Sequence, residues 1–206
     1  MESKTTKRRM HFVPMVSFLL ATMTLIVSLW VSQKVNGTPL STVRIVDLAE
    51  WGGVRYYELD IGNLWRVMTA QLVHVKWPHM LYNVVCLFAV GALIEKQIGR
   101  FWTLFVWGVI GGLATLISPI FVEAPYNVGT GASHAVLAFV GCAIILIARG
   151  RMKGALPTSI VAISLLPALG LDLFFAGHIK IGHAVALVGG IVFCVLFLMM
   201  RNKHTD

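Results

Sequence analysis

Charge is what this sequence has least of. Only 13% of its 206 residues are Asp, Glu, Lys or Arg, and just 9 of those are acidic, against 57% hydrophobic residues. A soluble globule needs roughly twice that charged fraction to coat its surface, so a water-soluble domain is excluded and one membrane bundle is expected. Cysteine is scarce as well. Cys86, Cys142 and Cys194 all lie inside apolar runs, where they read as small packing residues. They offer no metal-ligand spacing and say nothing about redox compartment. No metal or cofactor is called for. A basic face is also missing: the formal charge is +8, but the cations gather at the ends of apolar runs. That pattern is topological and speaks against a nucleic-acid partner.

What is present is a series of long apolar segments. Residues 1–11 carry Lys4, Lys7, Arg8 and Arg9 ahead of the run Phe12 to Val31. This run is long enough to cross about 30 Å of hydrocarbon, and no A-x-A-like cleavage site follows it. It reads as a first transmembrane helix behind a cytoplasmic basic N-terminus. Residues 32–78 form a long mixed segment with Trp51, Tyr56, Tyr57, Trp65 and Trp77, suited to an element lying in the membrane interface. Further spans are expected at His79 to Ile98, Phe101 to Ser118, Gly131 to Ala148, Leu156 to Phe174 and Ile181 to Met200, closed by a cytoplasmic tail from 201 to 206. The fold class is therefore all-α, a polytopic bundle of six transmembrane helices over residues 12–200.

Most of the 17 Lys and Arg fall on one side of this arrangement: the N-terminus, then Lys96 and Arg100, then Arg149, Arg151 and Lys153, then Arg201 and Lys203. Positive residues mark the cytoplasmic side, so both termini are placed there. Helices two, four and six then all run from outside to inside. Their first turns share one depth, and they hold His79 and Asn83, Ser133, and His183.

Spacing supports convergence. His79, Asn83, Leu87, Gly91, Glu95 and Gly99 recur every four residues and form one stripe down helix two. Gly108, Gly111, Gly112, Gly141, Gly189 and Gly190 allow neighbouring backbones to approach closely. A hydroxyl and an imidazole at one depth are the minimum for nucleophilic catalysis, with His taking the serine proton and returning it to the leaving amine. A third group is dispensable if packing fixes the imidazole. His79 and Asn83, one turn apart, are placed to hydrogen-bond an oxyanion beside the free N–H groups at the start of helix four. Taken alone, Gly131-Ala132-Ser133-His134-Ala135 reads more simply as a helix start built for close packing, because it lacks the closing glycine of a nucleophile elbow.

Jointly these residues resemble the rhomboid family of intramembrane serine proteases, in its compact six-helix bacterial form. The resemblance rests on Trp65-Arg66, His74, His79 with Asn83, Gly91 and Glu95 with Gly99, Gly131-x-Ser133, and Gly182-His183 with Gly190. It implies Ser133 as nucleophile, His183 as general base, and His79 and Asn83 at the oxyanion site. It further implies that Trp65 and Arg66 anchor the interfacial loop, that Glu95 secures the cytoplasmic end of helix two, and that Gly131 and Gly190 lend structural support. The chain departs from the family pattern at His134, where glycine is common after the nucleophile, at Leu137, where many bacterial members carry an aromatic that packs on the catalytic imidazole, and at Ala70 and Ala186.

His134 lies about 100° from Ser133 on a helix and reads as an interface or loop-contacting residue. His74 and His178 read as interfacial. Asp172 reads either as a ligand for a cation or substrate amide or, more simply, as a hydrogen-bonded partner near the loop. The expected partners are single-pass or polytopic membrane-protein substrates and the bilayer itself, and the oligomeric state is left open. Two other readings remain: a rhomboid-like pseudoprotease that binds helices without cutting, and a small transporter. The first usually lacks the serine or the histidine, and the second would show an inverted repeat, which is absent here.

Overall fold

Among the described residues, five stretches are apolar enough and long enough to cross a membrane: α1 (Met15–Asn36), α2 (Trp77–Ile98), α3 (Arg100–Phe121), α5 (Ala155–Ala176) and α6 (Ile181–Asn202), each of 22 residues. Between them lies the shorter α4 (Ser133–Ala148), of 16 residues. The structure, a computed structural model, describes residues 12–202. The expected basic N-terminus at 1–11 and the last four residues of the expected tail lie outside the described residues. At 1.5 Å per residue the long helices measure about 33 Å, enough to span the hydrocarbon, while α4 measures only about 24 Å. The chain is an integral, multi-pass helical bundle.

Why α4 is central follows from its composition. Every residue from Ser133 to Ala143 is buried, because its sequence is apolar or small on all faces, and such a helix finds its partners on all sides. Against α6 the approach is limited by backbone. A Cβ at Gly141 would overlap the carbonyl oxygen of Leu187, and one at Gly190 would overlap that of Ala138. The three cysteines are free and buried, as expected of packing residues.

Helices α1 and α2 are fastened antiparallel by Glu95. This carboxylate, fully buried near the end of α2, accepts hydrogen bonds from the backbone N–H groups of Val16 (3.1 Å) and Ser17 (2.8 Å) and from the Ser17 hydroxyl (2.7 Å). The first N–H groups of a helix have no partner within it, and a negative charge at that end also meets the favourable pole of the helix dipole. Glu95 thus closes the first turn of α1, and Arg100 Nε stands 3.8 Å from its Oε1. The stripe expected down α2 faces inward, with Asn83, Leu87, Gly91 and Glu95 all buried. Gly99, at φ 85°, then turns the chain straight into α3. Within α3 the residues Val106–Gly111 form a wider π turn, rich in the glycines noted above.

The segment between α1 and α2 is folded rather than free. It contains the short helices Ile45–Leu48 and Arg66–Thr69 and two 3₁₀ turns. The Arg66 guanidinium donates to the carbonyls of Ala49 and Gly53 and lies over the Trp65 ring, 4.9 Å from its centroid. Tyr57, Ile61 and Trp65 point outward. This is the amphipathic, aromatic element that suits an interface.

Candidate active site

Ser133 is the first residue of α4, and the loop that delivers it is held from below at three points. Gly129 exchanges two backbone hydrogen bonds with Val54, at 2.7 and 3.1 Å. The Gly131 N–H donates to the Ala70 carbonyl at 2.7 Å. The Ala132 N–H donates to His74 Nε2 at 3.2 Å. Gly131 sits at φ 90°, a backbone region that side-chain-bearing residues rarely enter. The interfacial segment therefore sets the position of the serine.

From the opposite side, α6 (Ile181–Asn202) brings in His183 in its first turn. His183 Nε2 lies 3.0 Å from Ser133 Oγ. Its other ring nitrogen, Nδ1, lies 2.6 Å from Asp172 Oδ2. A carboxylate accepts only, so Nδ1 carries the hydrogen of the neutral ring and Nε2 presents its lone pair to the serine hydroxyl. Asp172 also accepts from the Lys180 backbone N–H at 3.1 Å and stands 3.3 Å from its ammonium. Ser133, His183 and Asp172 are all buried. Packing was expected to hold the imidazole without a third group; the structure instead sets a carboxylate on it. The hydrogen-bonded reading of Asp172 near the loop is the one realised.

His134 also departs from expectation. It is buried rather than at a lipid interface, because α4 has no lipid face at this level. Thr115 donates to the Gly111 carbonyl at 2.8 Å and so accepts from His134 Nδ1–H at 3.1 Å. The His134 ring lies 5.2 Å from the His183 ring, centroid to centroid, on the side where Gly182 leaves space: a Cβ there would overlap His134 Nε2 and Ser118.

His74 likewise belongs to the interior. Ser28 donates its hydroxyl hydrogen to the Leu72 carbonyl at 2.6 Å, so it accepts from His74 Nδ1–H at 3.0 Å. That leaves Nε2 to accept from Ala132 N–H and from Asn83 Nδ2, the latter at 3.1 Å. His74 lies in the loop before α2, and burial, with His79 beside it, holds its imidazole far below the usual histidine range, at about 3. Asn83 is buried, and its Oδ1 has no partner among the described residues. His79 is half-buried, its ring 6.1 Å from that of His74. The structure brings Ser133 and His183 into hydrogen-bond contact and sets Asn83 under the loop that carries Ser133. Sequence reasoning passed over the buried partners Ser28 and Thr115, since hydroxyls on apolar helices give no pattern of their own.

Among proteins of known name, this chain is 28% identical over 156 residues to the putative rhomboid protease YdcA of Bacillus subtilis, covering 72% of this chain and 74% of that protein. It is 27% identical over 163 residues to the rhomboid protease GluP of the same organism, covering 76% of this chain but only 30% of GluP. It is 26% identical over 148 residues to the rhomboid protease GlpG of Haemophilus influenzae, covering 66% of this chain and 73% of GlpG. The family model of the Rhomboid domain matches residues 62–200, from the interfacial segment through the last helix, and the chain belongs to the rhomboid family.

Proposed function

We propose that this protein is an intramembrane serine endopeptidase that cuts transmembrane segments of membrane proteins, with Ser133 as nucleophile and His183 as general base. The observation that carries this reading is the 3.0 Å contact between Ser133 Oγ and His183 Nε2, buried in a membrane bundle. Buried polar groups in such a bundle are costly unless they serve a purpose. The names of the relatives agree with it.

The chemistry follows from the arrangement. Ser133 attacks the scissile carbonyl as its proton passes to His183 Nε2; the imidazolium then protonates the leaving amine, and water repeats the cycle on the acyl-enzyme. Negative charge on the carbonyl oxygen is met by backbone N–H groups at the start of α4, by Asn83 and by His79. With the cation-rich loops in the cytoplasm, the starts of α2, α4 and α6 face the extracytoplasmic side, and the cut falls near that surface.

The test is labelling of the detergent-purified protein by a fluorophosphonate probe, together with cleavage of a single-pass substrate in liposomes. Labelling and cleavage are expected for the native chain and for neither Ser133→Ala nor His183→Ala, with the double variant no worse than either single one. Binding of a transmembrane helix by the native chain without cleavage or labelling would establish a pseudoprotease instead.

A further inference from the structure

Helix α5 turns one narrow stripe inward: Val161, Ser164, Ala168 and Asp172 are its buried residues, spaced by three or four positions. The neighbours of Asp172 are apolar and outward, Leu171 at 45% and Leu173 at 54% exposure. The stripe therefore ends in a carboxylate aimed at the first turn of α6. An ionised group at this depth persists only where partners compensate for lost hydration. All three partners of Asp172 come from the four residues 180–183, which Gly177, at φ 70°, folds back across the end of α5. They are the His183 Nδ1, the Lys180 backbone N–H and the Lys180 ammonium.

The two carboxylate oxygens are divided between two tasks. Oδ2 holds His183, at the shortest distance in the site, 2.6 Å. Oδ1 meets the Lys180 ammonium, whose side chain is 56% exposed and reaches toward water. Beyond these, the charged and titratable groups near the His183 ring are His134 on α4, 5.2 Å away, and His79 on α2, within electrostatic range.

We propose, building on the reading of Ser133 and His183 given above, that Asp172 is the positioning residue of His183 and completes a Ser133–His183–Asp172 chain of hydrogen bonds. Asp172 does so in two ways. It holds the hydrogen of the neutral ring on Nδ1, so that the Nε2 lone pair always faces Ser133. When Ser133 attacks, its hydroxyl hydrogen moves to Nε2, and the imidazolium keeps its Nδ1–H bonded to a carboxylate that itself stays ionised. The Nε2 hydrogen then leaves with the amine, and the ring returns to its starting tautomer. Lys180 compensates the carboxylate charge between turnovers, which keeps Asp172 ionised within the bundle.

The experiment compares native chain, Asp172→Asn, Asp172→Glu and Lys180→Ala, each purified in detergent, for kcat and KM on one transmembrane substrate from pH 5 to 9. Asp172→Asn is expected to lower kcat by about 10²–10⁴ with KM little changed. It should also move the acid limb of kcat/KM to lower pH, because the imidazolium loses its negative neighbour. Asp172→Glu should recover part of the rate, and Lys180→Ala, which leaves the carboxylate and the Lys180 backbone N–H in place, should lower kcat less than Asp172→Asn does while moving the acid limb the other way. In parallel, nitrogen-15 spectra of histidine-labelled native protein at neutral pH are expected to place the His183 ring hydrogen on Nδ1, a readout independent of any variant. A native chain that neither cleaves nor labels would undo the serine-protease reading itself. A native chain that cleaves, with the ring hydrogen on Nε2, overturns the role of Asp172 alone. So does a folded Asp172→Asn that keeps kcat within about threefold with an unmoved acid limb.

Discussion

The imidazole of His134 lies against that of His183, their centroids 5.2 Å apart and their planes at 58°, while its own Nδ1 is tied to Thr115. A ring in contact at this place limits how far the His183 ring can tilt. It is expected to supply the packing for which Leu137, the departure noted in the sequence, has no ring to offer. Ring pairs of this kind contribute about 0.5–1.5 kcal/mol, which corresponds to roughly two- to tenfold in rate if it is lost at the transition state. His134→Ala is expected to lower kcat by that factor and His134→Phe to retain most of it. Equal activity for Ala and native would remove the ring from the account.

Asn83 and His79 are expected to give graded losses. Replacing one oxyanion donor typically costs about 10²–10³ in kcat with the nucleophile and base still in place. Asn83→Ala removes a donor and also frees His74 Nε2 from one of its two bonds. Its effect should therefore be the larger of the two in turnover measured at saturating substrate. Native kcat in both single variants would assign the pair to packing.

Gly190 and Gly170 stand at opposite extremes of the space around a glycine. A Cβ at Gly190 overlaps the Ala138 carbonyl, which cannot swing aside, whereas one at Gly170 meets nothing within 4 Å. Gly190→Ala is expected to separate α4 from α6, to lower the unfolding free energy by about 1–3 kcal/mol or more, the cost typical of overpacking, and to pull His183 off Ser133. Gly170→Ala should be neutral or stabilising by up to about 1 kcal/mol, since alanine is the better helix former. Thermal unfolding in detergent checks both.

His74 makes stability depend on acid. An unfolded histidine takes up a proton near pH 6.5, but the native ring stays neutral until about pH 3. Between those values the unfolded state binds more protons, so stability falls as pH is lowered through that window and is level above it. His74→Gln, whose amide oxygen can still accept the Ala132 N–H, is expected to be less stable at pH 7 yet to show a shallower decline from pH 6.5 to 4. An identical slope in native and variant would assign the acid sensitivity to other groups.

The helices were legible because hydrocarbon imposes long apolar runs, though hydropathy marks the membrane better than the helix end. The first span was expected to stop at Val31 but continues through polar Ser32, Gln33 and Lys34 to Asn36, until Gly37 adopts the left-handed turn that ends it. Ser133 and His183 were singled out by matched depth, helix direction and motif together, and the structure sets them in hydrogen-bond contact. Their further partners were not, for a physical reason specific to each. The 100° offset of His134 from Ser133 implies a lipid-facing ring only if α4 lies at the edge of the bundle, and it lies at the centre. The contact between Asp172 and His183 depends on a turn of four residues whose path no periodicity describes.

The depth of the cut follows from the shortness of α4. If its last turn meets the cytoplasmic headgroups at Arg149, Arg151 and Lys153, a 16-residue helix rises about 24 Å through about 30 Å of hydrocarbon. Ser133 then lies about 6 Å below the outer boundary, roughly one helical turn. A stable substrate helix presents no extended peptide there, because its carbonyls are engaged in i to i−4 bonds and unsatisfied ones are costly in lipid. Substrates are expected to carry Gly, Pro or polar residues near their outer end, with a small side chain before the scissile bond to fit the glycine-lined approach. Mass spectrometry of the products of a single-pass substrate should place the cut within about two turns of the outer boundary, and replacing the helix-breaking residues with Leu should slow it at least tenfold. A cut near the cytoplasmic end, or undiminished cleavage of the stiffened helix, would overturn this account of depth and access.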